Sequence, residues 1–178
     1  FGLLVVTGPK DSGKSTTLYS ILAEKNDPRV NILTAEDSIK YSLPGINPIE
    51  VIPREGLNFA QILRAFLQQD PDVILVGQIP DPETAKTVAE AVLTGHLVLT
   101  ALYTNDAASA IARLEAMGVE PSMISSTLLG VVAQRLIRRV CRECREAYHP
   151  TPAELAQFGL SSSEDQVFYR ANSLTPEE

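Results

Sequence analysis

Cysteine is scarce in this sequence: Cys141 and Cys144 are the only two in 178 residues. Two thiols build no disulfide framework, so the chain is expected in a reducing, cytoplasmic compartment. Long apolar runs are missing too. None reaches the roughly 18–20 residues that a membrane-spanning helix needs. A basic leader is also lacking. Phe1-Gly2-Leu3-Leu4-Val5-Val6 runs straight into a glycine-rich stretch, so no secretory signal is expected. With no initiator methionine, the start reads as a cut from a longer chain. Positive charge is in deficit, with a net charge of −7. Such a chain repels nucleic acid and anionic lipid except where basic residues gather. One gathering exists, at Arg135, Arg138, Arg139, Arg142 and Arg145. It reads as a solvated helix end in preference to a nucleic-acid patch, and no nucleic-acid partner is expected. No internal repeat is visible. What remains, 44% hydrophobic and 21% charged, is an ordinary soluble composition, long enough for one domain with a full core.

Short apolar, β-branched segments alternate with amphipathic ones. Residues 3–7, 30–34, 73–77 and 96–101 read as buried strands. Helices are expected from near Lys14, from Asn58 as N-cap, from Pro82 to about Leu93, and from Asp106 to Gly118. Residues 122–139 read as one further helix. Residues 41–53 hold Pro44, Gly45, Pro48 and Pro53 and read as a loop or short hairpin at a sheet edge. The alternation predicts an α/β fold with a mostly parallel sheet. After Cys144 the texture changes: Pro150, Pro152, the serine run at 161–163 and a polar end at 175–178 read as a partial appendage.

Chemistry concentrates at strand ends. Gly8-Pro9-Lys10-Asp11-Ser12-Gly13-Lys14-Ser15 fits G-x-x-x-x-G-K-[ST] between a buried strand and a helix. Such a loop aims backbone N–H groups and a helix N-terminus at phosphate oxygens. Lys14 is then expected on the β- and γ-phosphates, the Ser15 hydroxyl on Mg²⁺, and Thr16 beside it. Asp11 stands where αL must be tolerated, and it brings a negative charge that weakens binding. Glu36-Asp37 follows the second strand at the ligand-binding edge of an α/β sheet, where a carboxylate polarises water or is simply solvated. Gln78 ends the strand that in P-loop proteins carries a Mg²⁺-shell carboxylate. As an amide it cannot act as a general base. His96 either senses phosphate or is a satisfied structural histidine. Cys141 and Cys144, with His149 at best a third ligand, fall short of the four a closed zinc site needs. They read as free thiols, and no zinc is expected.

Together these segments resemble the secretion ATPase family, the hexameric P-loop motors of type II secretion and type IV pilus assembly. The likeness runs from Gly2 to about Tyr148. Residues 8–17, GPKDSGKSTT, resemble the family's Walker A. ILTAED at 32–37 resembles its Asp box, DPDVILVGQIPD at 70–81 its Walker B region, and TGHLVLTALYTND at 94–106 its His box. QRLIRRVCREC at 134–144 resembles the approach to the cysteine-bearing module of assembly and secretion motors, which retraction motors usually lack. The resemblance implies a RecA-like core over 1–140 and a partial cysteine-bearing module over 141–178, with the family's N-terminal domain outside this chain. It implies ATP and Mg²⁺ as ligands, with Asp37 joining Ser15 at the metal. Glu36 is implied as catalytic base, with position 78 and His96 in the catalytic set. It also implies a homo-hexamer working on an inner-membrane platform protein, at the cytoplasmic face of that membrane. The sequence departs from the family at Gln78 (for an acid), Pro80 (for arginine), Tyr103 (for a second histidine) and Gln68 (for arginine). The second cysteine pair expected near 171–178 is absent. Two functions therefore stand: a motor subunit that hydrolyses ATP, and a nucleotide-binding subunit of the same machine that hydrolyses slowly or not at all. A RecA-like DNA motor is a third, supported only by the arginine cluster.

Overall fold

The computed structural model describes residues 1–52, 54, 56–161 and 167–172. The serine run beyond Ser161 and the polar end at 175–178 lie outside the described residues. Contacts divide the chain into two units, Phe1–Leu136 and Ile137–Glu178.

In the first unit, β1 (Gly2–Thr7) leads through the glycine-rich loop into α1 (Lys14–Lys25). There follow β2 (Ile32–Glu36), β3 (Asn47–Glu50), α2 (Phe59–Phe66) and β4 (Val73–Val76). After them come α3 (Pro82–Leu93), β5 (Leu97–Leu102), α4 (Ala107–Ala116), α5 (Pro121–Thr127) and β6 (Leu128–Ala133). The six strands form one sheet in the order β3-β2-β4-β5-β1-β6. Every neighbouring pair is parallel. Parallel strands need cover on both faces, and the core divides accordingly. Val6, Ile32, Leu75 and Leu99 pack with Leu18, Tyr19 and Leu22 of α1. Val5, Leu33, Ile74 and Val98 pack with Ile62, Leu63 and Phe66 of α2, Val88 and Val92 of α3, and Leu114 of α4. Adjacent residues such as Val5 and Val6 face opposite layers, which is why these strands read as continuous apolar runs instead of alternating ones.

The helix starts follow local chemistry. Asn58 caps α2 in a reciprocal box with Gln61, Asp81 accepts from Thr84 N–H at α3, and Asp106 accepts from Ser109 N–H at α4. Three sequence expectations need correction. Residues 122–139 are not one helix: α5 stops at Thr127 and the chain enters β6. Val131 and Val132 favour a pleated strand, and β1, with Val5 and Val6 fully buried, needs a hydrogen-bonded neighbour on each side. In the stretch read as a loop or short hairpin at a sheet edge, Asn47–Glu50 form β3, which does lie at the edge but as a single outer strand parallel to β2. Pro48 is tolerated there because an outer strand has one side without a ladder. The second strand lies two residues later than expected, so Glu36 is its last residue and sits inside the sheet.

In the second unit, β7 (Glu146–Tyr148) and β8 (Phe168–Arg170) form an antiparallel pair. The helix α6 (Pro152–Gln157) carries a Thr151–Glu154 capping box. Among the described residues no helix is long and apolar enough to cross a membrane.

Candidate nucleotide site

A parallel sheet sends the C-terminal ends of all its strands to one edge. Here that edge gathers the loop after β1, Glu36 at the end of β2, Gly77-Gln78 after β4, and Tyr103 after β5. Thr7 ties β1 to β5: its hydroxyl lies 2.6 Å from that of Thr104 and 3.1 Å from the Leu102 carbonyl.

The loop is built to leave backbone facing outward. Gly8 and Gly13 have positive φ, 153° and 85°. A Cβ on Gly8 would stand 2.4 Å from the Gln134 carbonyl oxygen, so glycine is needed for close approach as well as for conformation. Asp11 adopts φ 60°, the left-handed position its short polar side chain tolerates. Gly13 caps α1 with no side-chain hydrogen bond, which leaves the first N–H groups of the helix uncapped by side chains. That is the arrangement that accepts an anion. The Ser12 hydroxyl is buried with no partner among the described residues.

Lys14 is buried at the floor of this loop. Its ammonium donates to the Gly8 and Pro9 carbonyls at 3.0 and 2.7 Å. It also lies 4.1 Å from the centre of the Tyr103 ring, a cation–π contact. Burial draws the Lys14 pKa below the ordinary lysine value, Asp11 opposes this, and Lys40 adds to the lowering. A cleft of about 450 Å³ opens above, lined among others by Lys10, Asp11, Ser15, Thr16, Asp37, Lys40, Tyr103 and Leu136.

Glu36 is 5% exposed. One carboxylate oxygen, Oε1, accepts from the Tyr19 phenol at 2.6 Å and from the Thr34 hydroxyl at 2.7 Å. Burial, and then the bond to Glu36, push the Tyr19 phenol well above its ordinary value. A pocket of about 20 Å³, enough for one water, is lined by Ser15, Tyr19, Glu36, Asp37 and Lys40 among others.

The remaining expected residues separate. Gln78 is half-buried on the same edge but lines neither of these two cavities. His96 is not brought to this loop. It precedes β5 at the opposite edge of the sheet, roughly 20 Å along the strand from Leu102. There Nδ1–H donates to the Ala91 carbonyl at 2.8 Å, with the Thr94 hydroxyl 3.0 Å away. His96 thus stands apart from this chain's own phosphate loop. The structural reading of that histidine describes its contacts. Sequence reasoning missed Tyr19, Lys40 and Gln134 as neighbours of the site. Tyr19 falls one helical turn beyond Ser15 and Thr16, the only advance signal among them. Cys141 and Cys144 are exposed free thiols. The N–H groups of Cys144 and Glu143 lower the Cys141 pKa, and the bond to Cys141 raises that of Cys144. Among the described residues no group of three or more His, Cys, Asp or Glu stands close enough to hold a metal.

A family described as type II/IV secretion system protein matches residues 1–175. The chain belongs to this family. A type IV pilus assembly ATPase, PilB, of Thermus thermophilus is 54% identical over 166 residues, covering 93% of this chain and 19% of that protein. The type II secretion system ATPase E of Vibrio cholerae is 50% identical over 170 residues, covering 96% of this chain and 34% of that one. Among solved structures, the pilus retraction motor PilT with bound ADP superposes with a TM-score of 0.70 at 39% identity, over 76% of this chain and 43% of that one. The Legionella pneumophila ATPase DotB superposes with a TM-score of 0.66 at 32% identity, over 76% of this chain and 41% of that one. The fold is thus the RecA-like α/β core of these secretion ATPases. The chain spans about a fifth to a third of the length of these two curated relatives, by the 19% and 34% above.

Proposed function

We propose that this chain is the nucleotide-binding core of an ATPase that powers type II secretion or type IV pilus assembly. The carrying observation is the loop itself: Gly8 pressed against the Gln134 backbone and Gly13 against its side chain, an uncapped helix N-terminus, an unpartnered buried Ser12 hydroxyl and a lysine at its floor. These groups fit a nucleotide's polyphosphate. Lys14 exchanges the Gly8 and Pro9 carbonyls for phosphate oxygens. Ser15, with Asp37 beside it, would hold Mg²⁺, which would supply charge neutralisation for the phosphates. Glu36, with Oε1 fixed by two hydroxyls, keeps Oε2 to take a proton from water as its oxygen bonds the γ-phosphorus and the bond to the ADP oxygen breaks. In keeping with the family resemblance read in the sequence, the working assembly is a homo-hexamer at the cytoplasmic face of the inner membrane, acting on a platform protein there. Residues 141–178 form a cysteine-bearing module.

A second reading, a subunit that binds nucleotide but turns it over slowly, is favoured by two observations. Gln78 offers an amide where a carboxylate orders the water and metal shell, and Tyr103 covers Lys14 with its ring. Calorimetry with Mg-ATP tests the shared claim: Lys14→Ala is expected to lose binding by tenfold or more (~1.4 kcal/mol), and equal affinity removes the proposal. Turnover in an oligomer carrying the N-terminal part separates the two readings. Restoring an acid by Gln78→Glu is expected to raise kcat by about 10²–10³. Pro80→Arg and Tyr103→His are expected to add further, non-additively. A parent that already matches the revertants is a full motor ATPase.

A further inference from the structure

The run at 134–144 looked, in sequence, like no more than the approach to the cysteine-bearing segment. Gln134 and Leu136, at its start, instead lie against the phosphate loop. Gln134 follows β6 directly, and its backbone N–H donates to the Thr7 carbonyl at 2.9 Å, where β1 gives way to the loop. Its side chain then bridges two parts of the site. Nε2 donates to the Ser12 carbonyl at 2.7 Å, and Oε1 accepts from the Thr17 hydroxyl in the first turn of α1 at 2.9 Å. The same residue sets the clearance of both loop glycines: a Cβ would stand 2.4 Å from its carbonyl oxygen at Gly8 and 3.1 Å from Nε2 at Gly13. Arg135 donates to the Gln134 carbonyl and to the Asn105 carbonyl beyond β5. Leu136 lines the nucleotide cleft.

We propose that Gln134 is a positioning residue of the phosphate site, fixing the 8–16 loop to the start of α1 from behind so that its N–H groups are aimed before nucleotide arrives. The physical need is specific. The bridge takes a donor on one side and an acceptor on the other, at the reach of two methylenes, and only a glutamine side chain supplies all three. Loop N–H groups bind phosphate well when they need no rearrangement on binding. Loss of the bridge leaves every contacting group in place and lets the loop wander. The inference rests on the nucleotide-binding reading above and adds a residue more than a hundred positions from the motif.

The test compares this chain with Gln134→Leu, Gln134→Glu and Thr17→Val. Gln134→Leu keeps the bulk and removes both bonds. Gln134→Glu keeps the acceptor for Thr17 but turns a carboxylate oxygen toward the Ser12 carbonyl. Affinities for a fluorescent Mg-ATP and Mg-ADP are expected to fall together, about tenfold or more in both Gln134 variants and less in Thr17→Val, because Gln134→Leu loses two hydrogen bonds, Gln134→Glu replaces one with a carboxylate–carbonyl repulsion, and Thr17→Val loses one. KM rises with Kd while kcat changes little. In Gln134→Leu, Thr17→Val should cost nothing further, since the two share one interaction. Hydrogen exchange of the amides at 10–16, without nucleotide, is expected to speed up while exchange of β4 and β5 stays as it was. Binding by Gln134→Leu within twofold of the parent, or full additivity with Thr17→Val, overturns the proposal. If Gln134→Leu does not fold, Gln134→Glu decides by the same measures. If the parent binds no Mg-nucleotide, the functional reading fails instead, and unchanged exchange at 10–16 is then the result that overturns the bridge.

Discussion

At Glu36 one carboxylate oxygen receives two hydroxyl donors, Tyr19 and Thr34, inside the sheet. The pair is expensive to bury and is retained because each donor offsets the lost hydration. Tyr19→Phe is expected to cost about 1.5 kcal/mol, the usual worth of a hydrogen bond to a charged acceptor. The pH dependence adds a sign. Burial and the Glu36 bond hold the native Tyr19 phenol above its ordinary value. Above about pH 10 the unfolded chain gives up this proton while the native chain keeps it, so stability falls as pH rises. The contribution is complete below about pH 10 and fades as pH climbs toward the native pKa. Tyr19→Phe lacks it, so the gap in urea midpoint between parent and variant should narrow from about pH 9 to about pH 11. Curves that stay parallel across this range would show that Tyr19 titrates normally. Nothing in the sequence pairs Tyr19 with Glu36. They belong to α1 and β2, and their meeting is decided by how α1 lies on the sheet.

Among the elements, the helix starts were the most legible feature because capping is local. Asn58 and Gln61 complete their reciprocal box within four residues, and the apolar side of α2 places Phe59, Ile62, Leu63 and Phe66 in the core. Asn58→Ala is expected to destabilise the unit by about 1 kcal/mol, and Asn58→Gly by only a few tenths. Equal losses in the two, by denaturant titration, would mean that the side-chain bond at Asn58 is not what holds the start of α2. Residues 128–133 show the opposite case. Their apolar run fits a helix face or a buried strand equally well by periodicity. The deciding factor is nonlocal: the free side of β1 needs a parallel partner, and Leu128–Ala133 supplies it.

Across the whole molecule, strand direction decides which motif residues share a site. All six strands run the same way. Residues after β1, β2, β4 and β5 therefore meet at one edge, and His96, before β5, is carried to the other. His96→Ala is expected to leave Mg-nucleotide affinity of this chain within about twofold, since no direct contact crosses roughly 20 Å. A tenfold loss, with the melting temperature unchanged, would contradict that placement. The sequence by itself determined the phosphate loop, its lysine and its helix, because strand, turn and helix start follow one another within a short stretch and their chemistry is local. It also determined the α/β class, through strands apolar on both faces. Only the tertiary structure decided that Glu36, Tyr103 and Gln134 meet that loop and that His96 does not. Those meetings depend on strand order and parallel register, set by hydrogen bonds and packing between segments far apart in the chain.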